Sequence, residues 1–498
     1  MTRILHTLVV AGVVAGAAAC AASPPPDTLA ADLVLRGGKV FTADAAGTIH
    51  EALAVREGRI VAAGSDRAVE RFIGPETRVI DLDGKLVTPG FNDAHIHFAP
   101  GGVSMLEVEL YGASSLAEIE RRVAEAAAKA EPGEWILGRG WDHTRLPADE
   151  LGPGGWPTKA ILDRAAPNNP VYLRRVDGHT GWANSRALEI AGVTVRTPNP
   201  PGGEIVRDDR GQPTGILKES AEGLVQRVIP PPSPEKLRRG IRAALELAAR
   251  SGVTSVQTSA SPAEVRVYQE LRDAGELTVR VYAWHELTHE NIEHFRRLGI
   301  QAPFGDEWLR VGLLKAYVDG TLGSRTSAML EPFADDPSTR GLPQYTQAAL
   351  DSLVLAADRA GLQLAIHAIG DAGNRMVLDA IERAQARTGR RDARHRIEHA
   401  QIVDETDIPR FAELGVIASM QPTHATSDMR WVETRIGHER AAEGAYAWRK
   451  FLDAGATVIF GTDFAVEPMP PIEGLYSAVT RQSREEPGTP PGGWLPEQ

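Results

Sequence analysis

Short apolar runs and longer mixed runs alternate along the second half of this chain. From about Pro234 the short runs fall at residues 252–257, 277–282, 311–315, 362–367, 395–399, 416–420 and 457–463. Each is only a few residues long and rich in Val, Ile, Leu or Ala, the form of a buried strand. Between them lie runs with apolar positions at helical spacing, among them 262–274, 348–360, 372–387 and 439–454. Adding the apolar run that ends at His95 makes eight strands, each followed by a helix. That alternation predicts an α/β fold, a TIM-like (β/α)8 barrel of parallel strands.

The rest of the chain follows other patterns. Residues 32–88 read as short strands joined at Gly37-Gly38, Glu57-Gly58 and Asp83-Gly84, too few to bury two faces, and so as part of a small β-sandwich. Residues 89–485 read as the barrel, with 100–230 as a long insertion of Gly- and Pro-rich loops that could cover a site. The first 20 residues stand apart: Arg3, then an uncharged run of Leu, Val, Ala and Gly, then Ala17-Ala18-Ala19-Cys20. This reads as a secretory leader with a small-residue cleavage site. Cys20 lies where a bacterial lipoprotein carries its acylated cysteine, and ordinary secretion is the alternative. Residues 21–31, with Pro24-Pro25-Pro26, read as a stiff tether. The expectation is an exported bacterial protein, periplasmic or held to the membrane only by a lipid on Cys20.

Composition narrows the chemistry. A net charge of −12 with no dense Lys/Arg tract argues against nucleic-acid binding. Cys20 is the only cysteine, which excludes an intrachain disulfide and a cysteine-based metal site.

What remains is the placement of polar residues. His95 and His97, Lys315, His367, His399 and Asp463 all fall at the C-terminal ends of predicted strands. Barrel active sites are built at that rim. The residue types suit one or two divalent ions, zinc above all. His95 and His97 would hold one ion, His367 and His399 the other. Lys315 fits as a carbamate formed with CO2, an anion able to bridge two metals; otherwise it is an ammonium that pairs with Asp319 or binds a substrate carboxylate. Asp463 can ligate and accept the proton of a metal-acidified water. Taken singly, each residue also has a structural reading: a satisfied core histidine, or a strand-end Asp capping the next helix.

The run Leu86-Val87-Thr88-Pro89-Gly90-Phe91-Asn92-Asp93-Ala94-His95-Ile96-His97 resembles the first-strand motif of the amidohydrolase superfamily, in its amidohydrolase-3 branch of YtcJ-like proteins and N-substituted formamide deformylases. Residues 315–326, Ala365-Ile366-His367-Ala368-Ile369-Gly370-Asp371, Arg396-Ile397-Glu398-His399-Ala400-Gln401 and Phe460-Gly461-Thr462-Asp463 resemble its later motifs. The resemblance implies a composite β-sandwich beside the barrel and metal-dependent hydrolysis of a non-peptide C–N bond in a small amide, formamide or cyclic amide. It implies ligand roles for His95, His97, Lys315, His367, His399 and Asp463, with Asp463 also the general acid/base. It implies substrate or oxyanion contact for His179, and a pocket wall with Arg325, His424 and Asp428. Gln257-Thr258 stand where many members read His-Asp, a change expected to alter pocket polarity. The family normally continues past the tail 486–498 with strands that return to the small sheet, so that domain is expected to be incomplete here. An ester or phosphotriester hydrolase on the same centre, or a non-catalytic surface lipoprotein, are the alternatives. Whether the chain forms a homo-oligomer is left open.

Overall fold

Eight parallel strands form a nearly closed ring in the computed structural model, which describes residues 29–498 except 176–179, 201–202 and 324. Cys20 and His179 lie outside the described residues. The strands are β1 (Phe91–Ile96), β2 (Val253–Ser259), β3 (Arg280–Glu286), β4 (Leu309–Tyr317), β5 (Gln363–Ala368), β6 (Arg396–His399), β7 (Ile417–Met420) and β8 (Val458–Phe460). They pair in sequence order in one parallel sheet, so the TIM-like barrel read from the alternation is the fold observed. The chain divides at Pro89/Gly90 into two compact units.

The first unit holds two small sheets. One has four strands, in the order Arg59–Gly64, Ala52–Arg56, Leu33–Arg36, Arg78–Asp81. The other has three, in the order Ile49–His50, Lys39–Phe41, Leu86–Val87. Val40, Leu53 and Leu82 pack together within this unit, while Ile49, Ile60 and Leu86 stay exposed.

In the second unit, β1 meets β8 to close the barrel. Past the end of β8, the Asp463 N–H donates to His95 O (2.7 Å) and the His97 N–H to Phe464 O (2.6 Å). The Asp93 carboxylate, on β1, accepts from the Thr462 N–H (2.9 Å) and hydroxyl (2.5 Å). Gly461 is required at this crossing, because a Cβ there would lie 2.4 Å from His95 N.

Three expectations need correction. β3 runs on to Glu286 rather than stopping at 282, because its ladder with β4 continues to the pair Glu286↔Lys315. The helix expected over 439–454 is two, His438–Gly444 and Trp448–Asp453. Between them Ala445 bridges to Ile402, and Tyr446 takes φ +53° with its N–H on Gln401 O. The insertion is no collection of loops. It holds a six-stranded mixed sheet, in the order Gly203–Arg207, Pro213–Glu219, Thr180–Ala183, Val171–Arg175, Ile136–Trp141, Val108–Glu109. Its strands hide glycines that read as breaks. A Cβ at Gly138 would lie 2.6 Å from Val108 O, so this glycine serves close strand packing.

The main barrel core gathers Leu314, Leu364, Ile366, Ile397 and Ala418 on the strands with Val354, Val377 and Ile381 on the helices outside. Among the described residues no helix is long and apolar enough to cross a membrane. The β1–β8 seam generates a test. Thr462→Val strips the hydroxyl from a buried carboxylate and should lower unfolding free energy by about 1–3 kcal/mol in urea titration.

Candidate metal centre

Period-2 alternation on β1 places Asp93, His95 and His97 on one face. Asp93 is used in the seam, and the two imidazoles beyond it reach the rim. His95 is fully buried, while the His97 side chain is 34% exposed and so lies on the open side. Asp463 sits opposite, its Oδ1 3.1 Å from His97 Nε2 and 3.5 Å from His95 Nε2. His399 stands beside His95, ring centroids 4.7 Å apart, and His367 beside His399 at 4.5 Å. His95, His399 and Asp463 each offer one ligand atom, all within 4.8 Å of one another. The tightest donor group therefore crosses the division into two pairs that the sequence suggests: His95 touches both halves.

Two of these residues owe their direction to unusual backbone. His399 and Asp463 have φ of +75° and +56°, in the left-handed region that costs a non-glycine residue free energy. On β6 strict alternation would turn Glu398 inward and His399 outward. The left-handed residue at the strand end lets both reach the centre. Such strain is concentrated at functional sites.

Hydrogen bonds fix the rings. His95 Nδ1 is 2.5 Å from Glu398 Oε2, so Nδ1 carries the proton and Nε2 faces Asp463 with its lone pair. His399 Nδ1 donates to Gln421 Oε1 at 2.8 Å, which likewise frees Nε2. Such outer partners set the tautomer of ligating histidines. His367 Nε2 is 3.1 Å from Gly320 O and 3.4 Å from Asp319 Oδ1. Burial, with the Lys315 charge, lowers His95 to about 4 and His367 to about 3, and burial with the neighbouring imidazoles holds His399 well below the usual imidazole range. All three are neutral at pH 7, the form that binds a metal. Burial opposes the charge on Asp463, but His95, His97 and His424 outweigh it and hold the carboxyl well below the usual range.

Lys315, on β4, is 3% exposed, and its Nζ has no hydrogen-bond partner. The rings of Trp284 and Tyr317 lie 5.2 and 5.0 Å away, and burial lowers the ammonium to about 8. It makes no pair with Asp319, whose carboxylate accepts the N–H groups of Ala328 (2.8 Å), Ile369 (3.0 Å) and Gly370 (2.8 Å). The neutral imidazoles and the carboxylate are a donor set that fits a divalent cation, and Lys315 would join it only after losing its proton, as in a carbamate.

His424 belongs to this centre: its Nε2 is 3.6 Å from Asp463 Oδ2 and its Nδ1 is 3.1 Å from Gln401 Nε2. Arg325 is engaged in a loop contact, while Asp428 lies within electrostatic reach of His424. The Arg325 guanidinium forks onto Asp335 at 2.7 and 3.0 Å, and Asp428 accepts the Tyr446 hydroxyl at 2.6 Å. Gln257 and Thr258, at the end of β2, are both hydrogen-bonded within the barrel. Gln257 turns to Arg396, and the Thr258 hydroxyl accepts the Phe98 N–H at 3.1 Å. Sequence reading passed over Glu398, Gln421 and Trp284. The charged pair Arg396/Glu398 on one face of an otherwise apolar strand was the available signal for the first.

A profile of the amidohydrolase family matches residues 78–496. Protein LONG AFTER FAR-RED 3 of Arabidopsis thaliana is 35% identical over 471 residues, spanning 92% of this chain and 79% of its own length. N-substituted formamide deformylase of Arthrobacter pascens is 30% identical over 475 residues, spanning 91% and 84%. Among solved structures, an uncharacterized metal-dependent hydrolase from Pyrococcus furiosus superposes with a TM-score of 0.74 at 30% identity, covering 92% of this chain and 90% of that one.

The place of Lys315 can be tested directly. Lys315→Ala should lower the metal bound per chain, measured by elemental analysis of purified protein, and added acetate or propionate should restore part of it. Unchanged stoichiometry would rule out a carbamate ligand.

Proposed function

This chain belongs to the amidohydrolase family, and on that footing we propose that it is a metal-dependent hydrolase cleaving the non-peptide C–N bond of a small amide, formamide or cyclic amide. The observation that carries the reading is the convergence of His95, His97, His367, His399, Lys315 and Asp463 on one end of the barrel, with neutral imidazoles beside an ionised carboxylate. His95, His97, His399 and Asp463 would hold a divalent ion, with His367 and Lys315 completing the set for a second. Bound there, such an ion supplies Lewis acidity and a water acidic enough to give hydroxide at neutral pH.

The residues then divide the work. Asp463 is the general base and acid. Its backbone N–H is tied to His95 O and its Oδ1 lies against His97, which aim the carboxylate into the centre. It takes the proton of the attacking water and returns it to the departing nitrogen, so water adds across the C–N bond with oxygen on carbon and hydrogen on nitrogen. His424, with Nε2 3.6 Å from Asp463 Oδ2, stands beside the second oxygen of that carboxylate. Trp284 and Tyr317 wall off Lys315 from water. His179 is proposed to contact the carbonyl oxygen, as its Asp-Gly-His context suggests.

Purified protein loaded with Zn2+ should hydrolyse members of a panel of N-formyl amines, ureas and cyclic imides faster than aryl esters or phosphotriesters. The reverse order would overturn the C–N assignment, and no bound metal with no turnover would overturn the enzyme reading. Asp463→Asn should reduce kcat by roughly 100- to 10,000-fold, the usual range for loss of a positioned proton carrier. Wild-type turnover in that variant would remove its proton role.

A further inference from the structure

Below the candidate ligands lies a fully buried guanidinium. Arg396 is 2% exposed, and its donors are spread over four strands of the barrel. Nε donates to Glu398 Oε1 at 2.7 Å on β6. Nη2 donates to Ala94 O on β1 at 2.6 Å and to Ser419 Oγ on β7 at 3.2 Å. Nη1 donates to Gln257 Oε1 on β2. The Trp284 ring on β3 lies 5.3 Å from the guanidinium carbon. The second oxygen of Glu398 is the one that holds His95 Nδ1 at 2.5 Å.

These contacts form a continuous chain from Gln257 through Arg396 and Glu398 to His95. Guanidinium geometry is rigid and planar, so the angle at which Arg396 presents Nε to Glu398 depends on what fixes Nη1 and Nη2. Removing the acceptor on Nη1 leaves a buried donor unpaired and lets the plate tilt about the bonds that Nε and Nη2 keep. Glu398 would then lose its seat, and the imidazole it orients would lose a fixed direction.

We propose that Gln257, Arg396 and Glu398 are a positioning relay for His95, through which the residue at 257 sets how tightly the centre holds its cation. This rests on the reading of the rim as a divalent-metal centre. It also gives the departure at Gln257 a physical meaning: the change acts behind the ligands, on their support.

The test uses the full chain as wild type, Gln257→Met, Gln257→Glu and Glu398→Gln. Each is stripped with a chelator and titrated with Zn2+ against a chromophoric competitor. The relay predicts that zinc affinity falls about tenfold in Gln257→Met and roughly ten- to a hundredfold in Glu398→Gln, while Gln257→Glu, which keeps an acceptor oxygen for Arg396, stays within about threefold of wild type. The visible absorption of the Co2+-loaded protein, which reports ligand geometry, should shift in the two weakened variants and hold in Gln257→Glu. Lower melting temperatures of the apoproteins with an unmoved cobalt band would mean a packing role and overturn the relay. Wild-type protein that takes up no Zn2+ would overturn the metal reading itself. Wild-type binding matched by Gln257→Met would overturn the relay alone. Should Gln257→Met fail to fold, unchanged affinity in Glu398→Gln overturns it equally.

Discussion

β8 can meet β1 only where no side chain stands between them, and that crossing determines what the rim of the barrel can do. Gly461 leaves the gap, and Asp93 fills the remaining hydrogen-bonding capacity with the N–H and hydroxyl of Thr462. The backbone bonds past the seam then set Asp463 against His95 and His97. Two ends of a long chain are thereby brought within hydrogen-bond reach of each other. The carboxylate and the His95 imidazole are held apart from water by the same contacts that close the sheet, so barrel stability and site geometry are one property.

A cluster of neutral imidazoles is unremarkable in a protein interior, but a carboxylate and an amine beside them are costly to bury. The molecule meets that cost in layers. Glu398 and Gln421 occupy the outward nitrogens of His95 and His399, and Arg396 neutralises Glu398. Backbone N–H groups satisfy Asp319. At the centre itself the Lys315 amine, one oxygen of Asp463 and His424 Nε2 each lack a hydrogen-bond partner, three ionisable side chains side by side, while the other buried polar atoms without one, such as Trp182 Nε1 and Tyr268 Oη, are scattered through the chain. Native interiors seldom leave such groups unmatched without a functional reason. Family membership and this pattern of unmet donors and acceptors point the same way, toward a hydrolase.

The barrel was legible because its strands are continuous apolar runs, and the ligand candidates were legible because His95, Lys315, His367, His399 and Asp463 end or follow those runs. Supporting residues were harder to read. Alternation alone sends Glu398 and His399 to opposite faces, and nothing local in the sequence announces a left-handed histidine. Gln421 and His424 belong to a short helical turn after β7, outside any strand pattern. The insertion was misread because Gly138 and Gly140 interrupt a strand whose neighbours press too closely for larger residues. Arg325 carries the expected charge but spends it on Asp335, a loop contact that spacing along the chain does not encode.

The donors of the centre are not equally deep. His95, His399 and Asp463 are buried to within a few per cent, whereas a third of the His97 side chain meets solvent. Of the residues proposed to hold an ion, His97 is thus the one that solvent and solutes can touch, and the others would be screened behind the protein interior.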